Sequence, residues 1–455
     1  MDTGDTAWVL ASTALVMLMT PGLALFYGGM VRAKSVINMM MMSFGALAVV
    51  GVLWVLYGYS MAFGTDVGGG LLGNPGEFFG LSGLMGADQL AGTIPTLLFV
   101  GFQGMFAVIT VALVSGSIAD RAKFWTWILF AGIWATVVYF PVAHWVFAFA
   151  DGEGGWIGDR LGAIDFAGGT AVHINAGAAG LALALVLGRR RDFAKGAHRP
   201  HNLPLVMLGA GLLWFGWFGF NAGSALAANG TAAVALVNTV AATSAATLAW
   251  LGVEKFRDGH ATSLGAASGV VAGLVAITPA CSALNPVGSL LLGVVAGAVC
   301  SLAVSLKFRL RYDDSLDVVA VHLVGGVVGT IAIGFLATAD APAAVDGLLF
   351  GGGADLLVKQ VIGAGSVLVF SFVVTYAIGW LLQKTVGFRV DDDQEVVGVD
   401  LVHHGESGYE IGSEPVPEDV LARVTSGAAP VAVAGKERSK STSGIAIGEG
   451  EVSPA

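Results

Sequence analysis

The sequence predicts an all-α polytopic membrane protein of eleven transmembrane helices, N-terminus outside and C-terminus cytoplasmic, built on a five-plus-five inverted repeat. Three observations carry that expectation. Hydrophobic residues make up 55% of the 455 and charged residues only 12%, against roughly 25% charged in a soluble domain. Apolar segments of about 18 to 25 residues recur along the chain, each long enough for a hydrocarbon layer ~30 Å thick. Lysine and arginine gather in every second loop, as cytoplasmic loops of membrane proteins require.

The first segment, 6–30, follows the acidic opening MDTGDTAW, which lacks the basic stretch of a signal peptide and reads as a retained span. Segments 6–30 and 36–63 flank Arg32 and Lys34, and segments 93–118 and 124–149 flank Arg121 and Lys123. Segments 166–188 and 203–221 enclose Arg189, Arg190, Arg191, Lys195 and Arg199. Lys255 and Arg257 lie between 231–253 and 263–280, and Lys307, Arg309 and Arg311 between 287–306 and 317–337. The eleventh segment, 358–384, leads into the tail. With these loops inside, only Arg160 and Lys359 of the 22 basic residues fall outside, beside Asp66, Glu77, Asp88, Asp151, Glu153, Asp340 and Asp346. Pro21, Pro95 and Pro141 fall within the segments, where neighbouring helices re-satisfy freed backbone groups. The 67 glycines suit close helix packing, because small residues let membrane helices approach one another. Cys281 and Cys300 sit in apolar surroundings, so no disulfide framework and no cysteine metal site is expected.

From Gly387 onward, 13 acidic residues face five basic ones, which places −8 of the net charge of −10 in the tail. Residues 387–425, with Asp391, Asp392, Asp393 and Glu395, read as a cytoplasmic regulatory tail whose Val396, Val397, Val399, Leu401 and Val402 offer apolar surface for docking. Residues 426–455 have the low hydrophobicity of a disordered end. The expected division is thus a transport domain over 1–386, with repeats at about 6–188 and 203–337 plus the helix 358–384, followed by these two tail segments.

At an offset of 149 residues the chain matches itself, AVHINAGAAG (171–180) against AVHLVGGVVG (320–329), with Asp165 and Asp314 each eight residues ahead of a histidine. The two copies fall on the fifth and tenth segments, which run in opposite directions, as an inverted repeat requires. His173 and His322 then approach the membrane midplane from opposite faces. On a continuous helix each Asp lies about 12 Å from its His, one toward the outer mouth and one toward the inner. Two neutral imidazoles satisfy each other without net charge, and an intramembrane ionisable pair marks a functional site. A structural reading, each histidine bonded to a backbone carbonyl, competes. No Glu lies inside any span, so a metal site lacks a third ligand and no metal or other cofactor is expected. Phe102 and Phe106 stand one turn apart, and Trp217, Phe220 and Ser224 occupy neighbouring turns. Such aromatic stripes serve either as core packing or as a cation-attracting mouth with a hydrophobic gate.

The stretches FQGMFAVIT (102–110), DFAGGTAVHINAG (165–177), HNLPLVMLG (201–209), GWFGFNAGSA (216–225), ITPACS (277–282) and AVHLVGGVVG resemble the ammonium transporter family (Amt/Mep, related to the Rh glycoproteins). The likeness runs from about residue 15 to 410. It implies homotrimers in the cell membrane, each subunit with its own pore for ammonium and methylammonium. It also implies that His173 and His322 are a twin-histidine pair beside Trp217, and that Phe106 and Phe220 form a stacked gate. Phe102, Phe106, Phe147 and Ser224 would recruit the cation, and Asp165 would hold the outer vestibule in shape and field. The family also couples its tail to a trimeric PII signalling protein. One position departs: Phe147 stands where relatives typically place a Trp, three residues after His144. His144 itself is expected at the outer interface as a structural residue, and Trp145 is rotated by about 200° on a helix. The function expected is transport with deprotonation of the cation before it enters the pore. A passive pore for another small neutral solute and an ammonium sensor with little transport are the alternatives. An enzyme is disfavoured because no nucleophile and base pair is visible, and no nucleic-acid partner is expected.

Overall fold

A computed structural model describes residues 1–86, 88–193 and 199–409. The segment 426–455, and the part of the expected regulatory tail beyond 409, lie outside the described residues. The apolar segments form α1 Thr3–Met30, α2 Ala33–Phe63, α3 Thr96–Ile118, α4 Phe124–Phe147, α5 Gly169–Leu187, α6 Leu203–Ala225 and α7 Gly230–Asp258. They continue as α8 Ser263–Ile277, α9 Pro286–Leu310, α10 Val319–Leu336 and α11 Asp355–Thr385. Ten of these are long and apolar enough to cross a membrane among the described residues. The exception is α8, whose 15 residues rise only about 22 Å. The chain beyond it, 278–284, stays buried as a run of turns. The protein is a multi-pass membrane protein.

Local sequence explains where these helices start and bend. Asp2, Asn202, Asn229, Thr262 and Asn285 cap helix N-termini with their side chains, satisfying backbone donors that the first turn leaves without partners. Pro95 lies outside the spans: it ends a two-residue hairpin, Leu90–Ala91 against Ile94–Pro95, and precedes α3. Pro141 does sit inside α4, where the turn before it widens to a π-helix over Ala135–Tyr139, consistent with the donor that proline lacks.

The two halves meet at α5 and α10. Both helices open with a π-helical turn, Gly169–Ile174 and Val319–Val324, and each turn contains one histidine of the repeat. Such wide turns concentrate at functional sites. The glycines four residues past each histidine make close contacts at the same 149-residue offset. A Cβ on Gly177 would lie 2.6 Å from Leu323 Cα, and one on Gly326 would lie 3.1 Å from Ile174 N. Each contact falls on the residue that follows the opposite histidine.

The aspartates are placed differently from the expectation of one continuous helix. Asp165 and Asp314 precede the helical turns and cap them. Asp165 accepts hydrogen bonds from the backbone of Gly168, Gly169, Thr170 and Ala171 at 2.7–3.0 Å. Asp314 accepts from Val319 N at 2.7 Å. Burial, with Asp317 adding repulsion, pushes the Asp314 carboxyl up to about 6.

At the end where α1, α3 and α5 finish, buried charges are arranged in pairs. Arg190 bonds Asp120 at 3.0 Å and Asp313 at 2.8 Å. Burial alone would raise Asp120, but Arg32 and Arg190 hold it below the usual carboxylate value. The tail helices α12 Asp392–Val397 and α13 Val399–His404 attach to this layer. Glu395 accepts from Arg191 N and from Arg389, both at 3.0 Å, while Asp400 caps α2 by accepting from Ile37 N and Asn38 N. Of the apolar tail residues, Val397 and Val399 are buried, whereas Val396 and Leu401 remain 43% exposed. Asp391 and Asp392 are exposed, so Glu395 and Asp400 are the acidic anchors.

The Gly177 contact sets a test of packing. Gly177→Ala is expected to destabilise the protein by about 1–3 kcal/mol through overpacking, seen as a lower melting temperature in detergent. Gly365→Ala, where nothing lies within 4 Å, leaves it unchanged or slightly raised.

Candidate functional site

A funnel of about 1420 Å³ opens at the end of the molecule where α2, α4 and α6 finish. Aromatic rings line it, among them Phe99, Phe106 and Phe147, together with the carboxylate-bearing Asp66, Glu77, Glu153 and Asp165. Asp165 forms part of the wall, and its buried carboxyl is pushed up by burial even against its four backbone donors. Ser224 lines the funnel with its hydroxyl donating to Phe220 O at 2.7 Å, which leaves oxygen lone pairs as acceptors.

Two rings lie between the funnel, which Phe106 lines, and a second cavity, which Phe220 lines. Phe106 of α3 and Phe220 of α6 stack at 4.1 Å between centroids and 16° between planes. Phe102 is fully buried behind Phe106, edge-on at 5.0 Å, and is not among the residues lining the funnel. Gln103 lines it instead, a polar group the sequence reading passed over because its neighbours are aromatic.

Under the stacked rings lies a narrow cavity of about 10 Å³, lined by Phe220, His173, His322, Trp217 and aliphatic side chains including Leu23 and Val271. That volume is near the lower limit for one water-sized molecule. The imidazoles of His173 and His322 meet Nδ1 to Nδ1 at 3.3 Å. One nitrogen must donate and the other accept, so the pair carries no net charge when each ring holds a single proton. His173 Nε2 is buried with no hydrogen-bond partner among the described residues. The indole of Trp217 stacks on the His173 ring at 5.4 Å and 19°. Its Nε1–H donates to Thr278 Oγ1 at 2.8 Å, whose hydroxyl donates to Leu274 O. Thr278, just past α8, therefore fixes the ring that fixes the histidine.

His144 lines the funnel near its wall and is held in a structural role. It is 1% exposed, with Nδ1 3.0 Å from Ala62 O and Nε2 3.3 Å from Asp66 Oδ1, tying α4 to the end of α2. Trp145 points away from the funnel and donates to Leu71 O at 2.8 Å. Asp391, Asp392, Asp393 and Glu395 belong to the tail and not to the pore. Among the described residues no group of three or more His, Cys, Asp or Glu could hold a metal ion.

Residues 7–409 match the family model described as Ammonium Transporter Family. The chain belongs to that family. Curated relatives include an ammonium transporter of Mycobacterium tuberculosis, 60% identical over 433 residues that cover 90% of this chain and 91% of the relative. An ammonium transporter of Bacillus subtilis is 46% identical, covering 90% and 99%. Among solved structures, Saccharomyces cerevisiae Mep2 has a TM-score of 0.80 at 35% identity, covering 92% of this chain and 94% of its own. A structure titled Sensor Amt Protein has a TM-score of 0.80 at 28% identity, covering 88% and 98%. In this ammonium transporter family member the four donors on Asp165 make its shape testable. Asp165→Ala leaves four backbone N–H groups without their acceptor, at about 1–3 kcal/mol for each that stays buried. Asp165→Asn turns an amide donor toward two of them. Both variants are expected to melt at lower temperature, the alanine variant lowest, in a thermal scan of purified protein.

Proposed function

We propose that this protein transports ammonium across the cell membrane, recruiting the cation in the aromatic and acidic funnel, removing its proton, and passing ammonia through the histidine cavity. The observation that carries this reading is the mutually bonded imidazole pair in an apolar cavity sized for one small molecule, beneath two stacked rings. Moving an intact small cation into such a dry pore costs tens of kcal/mol by an idealised Born estimate. A desolvated aromatic contact returns only about 2 kcal/mol. Taking the lysine amine at pKa ~10.4 as a stand-in, deprotonation at pH 7 costs about 4.6 kcal/mol, from 3.4 units at 1.36 kcal/mol each. Losing the proton is the cheaper route, and potassium has none to lose. His173 Nε2, with no hydrogen-bond partner among the described residues, would hydrogen-bond ammonia in transit. Phe106 and Phe220 act as the gate, Trp217 orients the pair, and Phe147 and Ser224 receive the cation.

The eleven-span topology with the N-terminus outside, the homotrimer, and residues 387–425 as a regulatory segment for a PII protein belong to this proposal. Supporting the regulatory part is the attachment of the tail through Glu395 and Asp400 to the layer that carries Arg32, Arg191 and the start of α2. A sensor reading has one specific support, the likeness to the Sensor Amt Protein structure. It predicts binding with little flux.

Currents from purified protein in liposomes separate these readings. Ammonium and methylammonium are expected to produce transport and potassium none; potassium flux comparable to ammonium flux would exclude the deprotonation step. His173→Ala or His322→Ala alone strands the other imidazole and is expected to cut selective conduction by roughly tenfold or more. A variant with wild-type rate and potassium rejection would make the pair structural.

Truncation tests the tail. Removing residues from Ser426 onward is expected to leave transport and PII binding unchanged, whereas removal from Gly387 onward alters activity or abolishes PII pull-down. Identical behaviour of the two truncations would remove the regulatory assignment.

A further inference from the structure

The helix that carries Phe147 ends at that residue. Ala148 is already extended, with φ −84° and ψ 106°, so the rotation of about 200° that separates positions i and i+2 on a helix no longer applies. Phe149, about 6.6 Å farther along an extended chain, lines the same funnel as Phe147. Its side chain is 68% exposed, although large apolar residues are usually buried.

The segment bearing this ring is fixed rather than loose. One oxygen of Asp159 accepts from Ala150 N at 3.1 Å and from Gly152 N and Gly154 N at 2.8 Å, closing the loop behind Phe149. The tip of the ring rests on Gly158, where an added Cβ would lie 3.2 Å from Phe149 Cζ. Around it the funnel wall carries Asp66, Glu77 and Glu153. Asp66 is committed to Arg160 at 2.9 Å and Glu77 to Thr65, whereas no hydrogen bond or ion pair engages the Glu153 carboxylate within the described residues.

We propose that Phe149 is an additional recruiting ring at the outer end of the funnel, binding ammonium or a small alkylammonium cation on its exposed face before the ion reaches Phe147 and Phe106. This rests on the transport reading above. Acidic walls raise the local concentration of cations, and an exposed ring supplies a weak cation–π contact. A second phenylalanine ring beside Phe147 offsets part of what an indole at that position would contribute.

The experiment compares half-saturating ammonium concentrations for wild type, Phe149→Leu and Phe149→Trp in the liposome current assay, with potassium as control. Leucine keeps apolar bulk over Gly158 and removes the π face, so Phe149→Leu is expected to raise the half-saturating concentration roughly two- to five-fold. The change should fall there rather than on the maximal rate, and Phe149→Trp should lower the half-saturating value or hold it at wild type. A Phe149→Leu curve superimposable on wild type, in protein that still excludes potassium, overturns the Phe149 assignment and leaves the transport reading standing. A change confined to maximal rate, as expected of an anchor at the membrane surface, overturns it as well. Wild-type protein that passes potassium as readily as ammonium overturns the transport reading itself.

Discussion

The hydrogen bond between His173 and His322 is the constraint on which the centre of this molecule depends. Two imidazoles buried in an apolar cavity are costly unless each meets a partner, and here the partner of each is the other. Meeting Nδ1 to Nδ1 requires two helices from opposite halves to approach within the width of their side chains. Gly177 and Gly326 permit that approach by leaving no Cβ against the backbone that follows the opposite histidine. Trp217, locked by Thr278, then covers one imidazole face and removes the freedom of the ring to turn away.

The same cost of an unmet polar group in a dry interior shapes the approaches to the pair. A π-turn opens each histidine helix and leaves backbone donors that a regular helix would use differently. Asp165 gathers four of them, and Asp314 meets the corresponding turn on the other side. The Asp165 carboxyl thereby held forms part of the funnel wall.

At the end where α1, α3 and α5 finish, the logic changes from hydrogen-bonded imidazoles to ion pairs. Asp120 and Asp313 share Arg190, and Glu395 receives Arg389 and a backbone donor of Arg191. Buried pairs of this kind contribute little net stability but make the loss of one partner costly. They therefore specify position more than strength. The tail is tied to loops joining α1 to α2, α3 to α4 and α5 to α6.

What the sequence by itself determined is set by local periodicity and internal likeness. Every apolar segment became a helix within a few residues of its expected ends, because length and hydrophobicity are properties of consecutive residues. The pairing of His173 with His322 was legible from the 149-residue offset, since inverted repeats bring equivalent positions together at their shared axis. The stacked rings of Phe106 and Phe220 came from the family likeness rather than from spacing. Tertiary structure alone decided the rest. A π-turn shifts the helical phase, so the step from Asp165 to His173 could not be counted at 1.5 Å per residue, and the aspartate proved to be a cap. Phe102 faces packing and Gln103 the funnel, because which side of α3 is lined depends on neighbours far away in sequence. Glu395 and Asp400, rather than the exposed Asp391 and Asp392, anchor the tail, since only folding reveals which carboxylates meet Arg389, Arg191 and the first turn of α2. Phe149 joins Phe147 in one wall because α4 ends between them, and a helix end is set by the contacts that outcompete the next backbone bond.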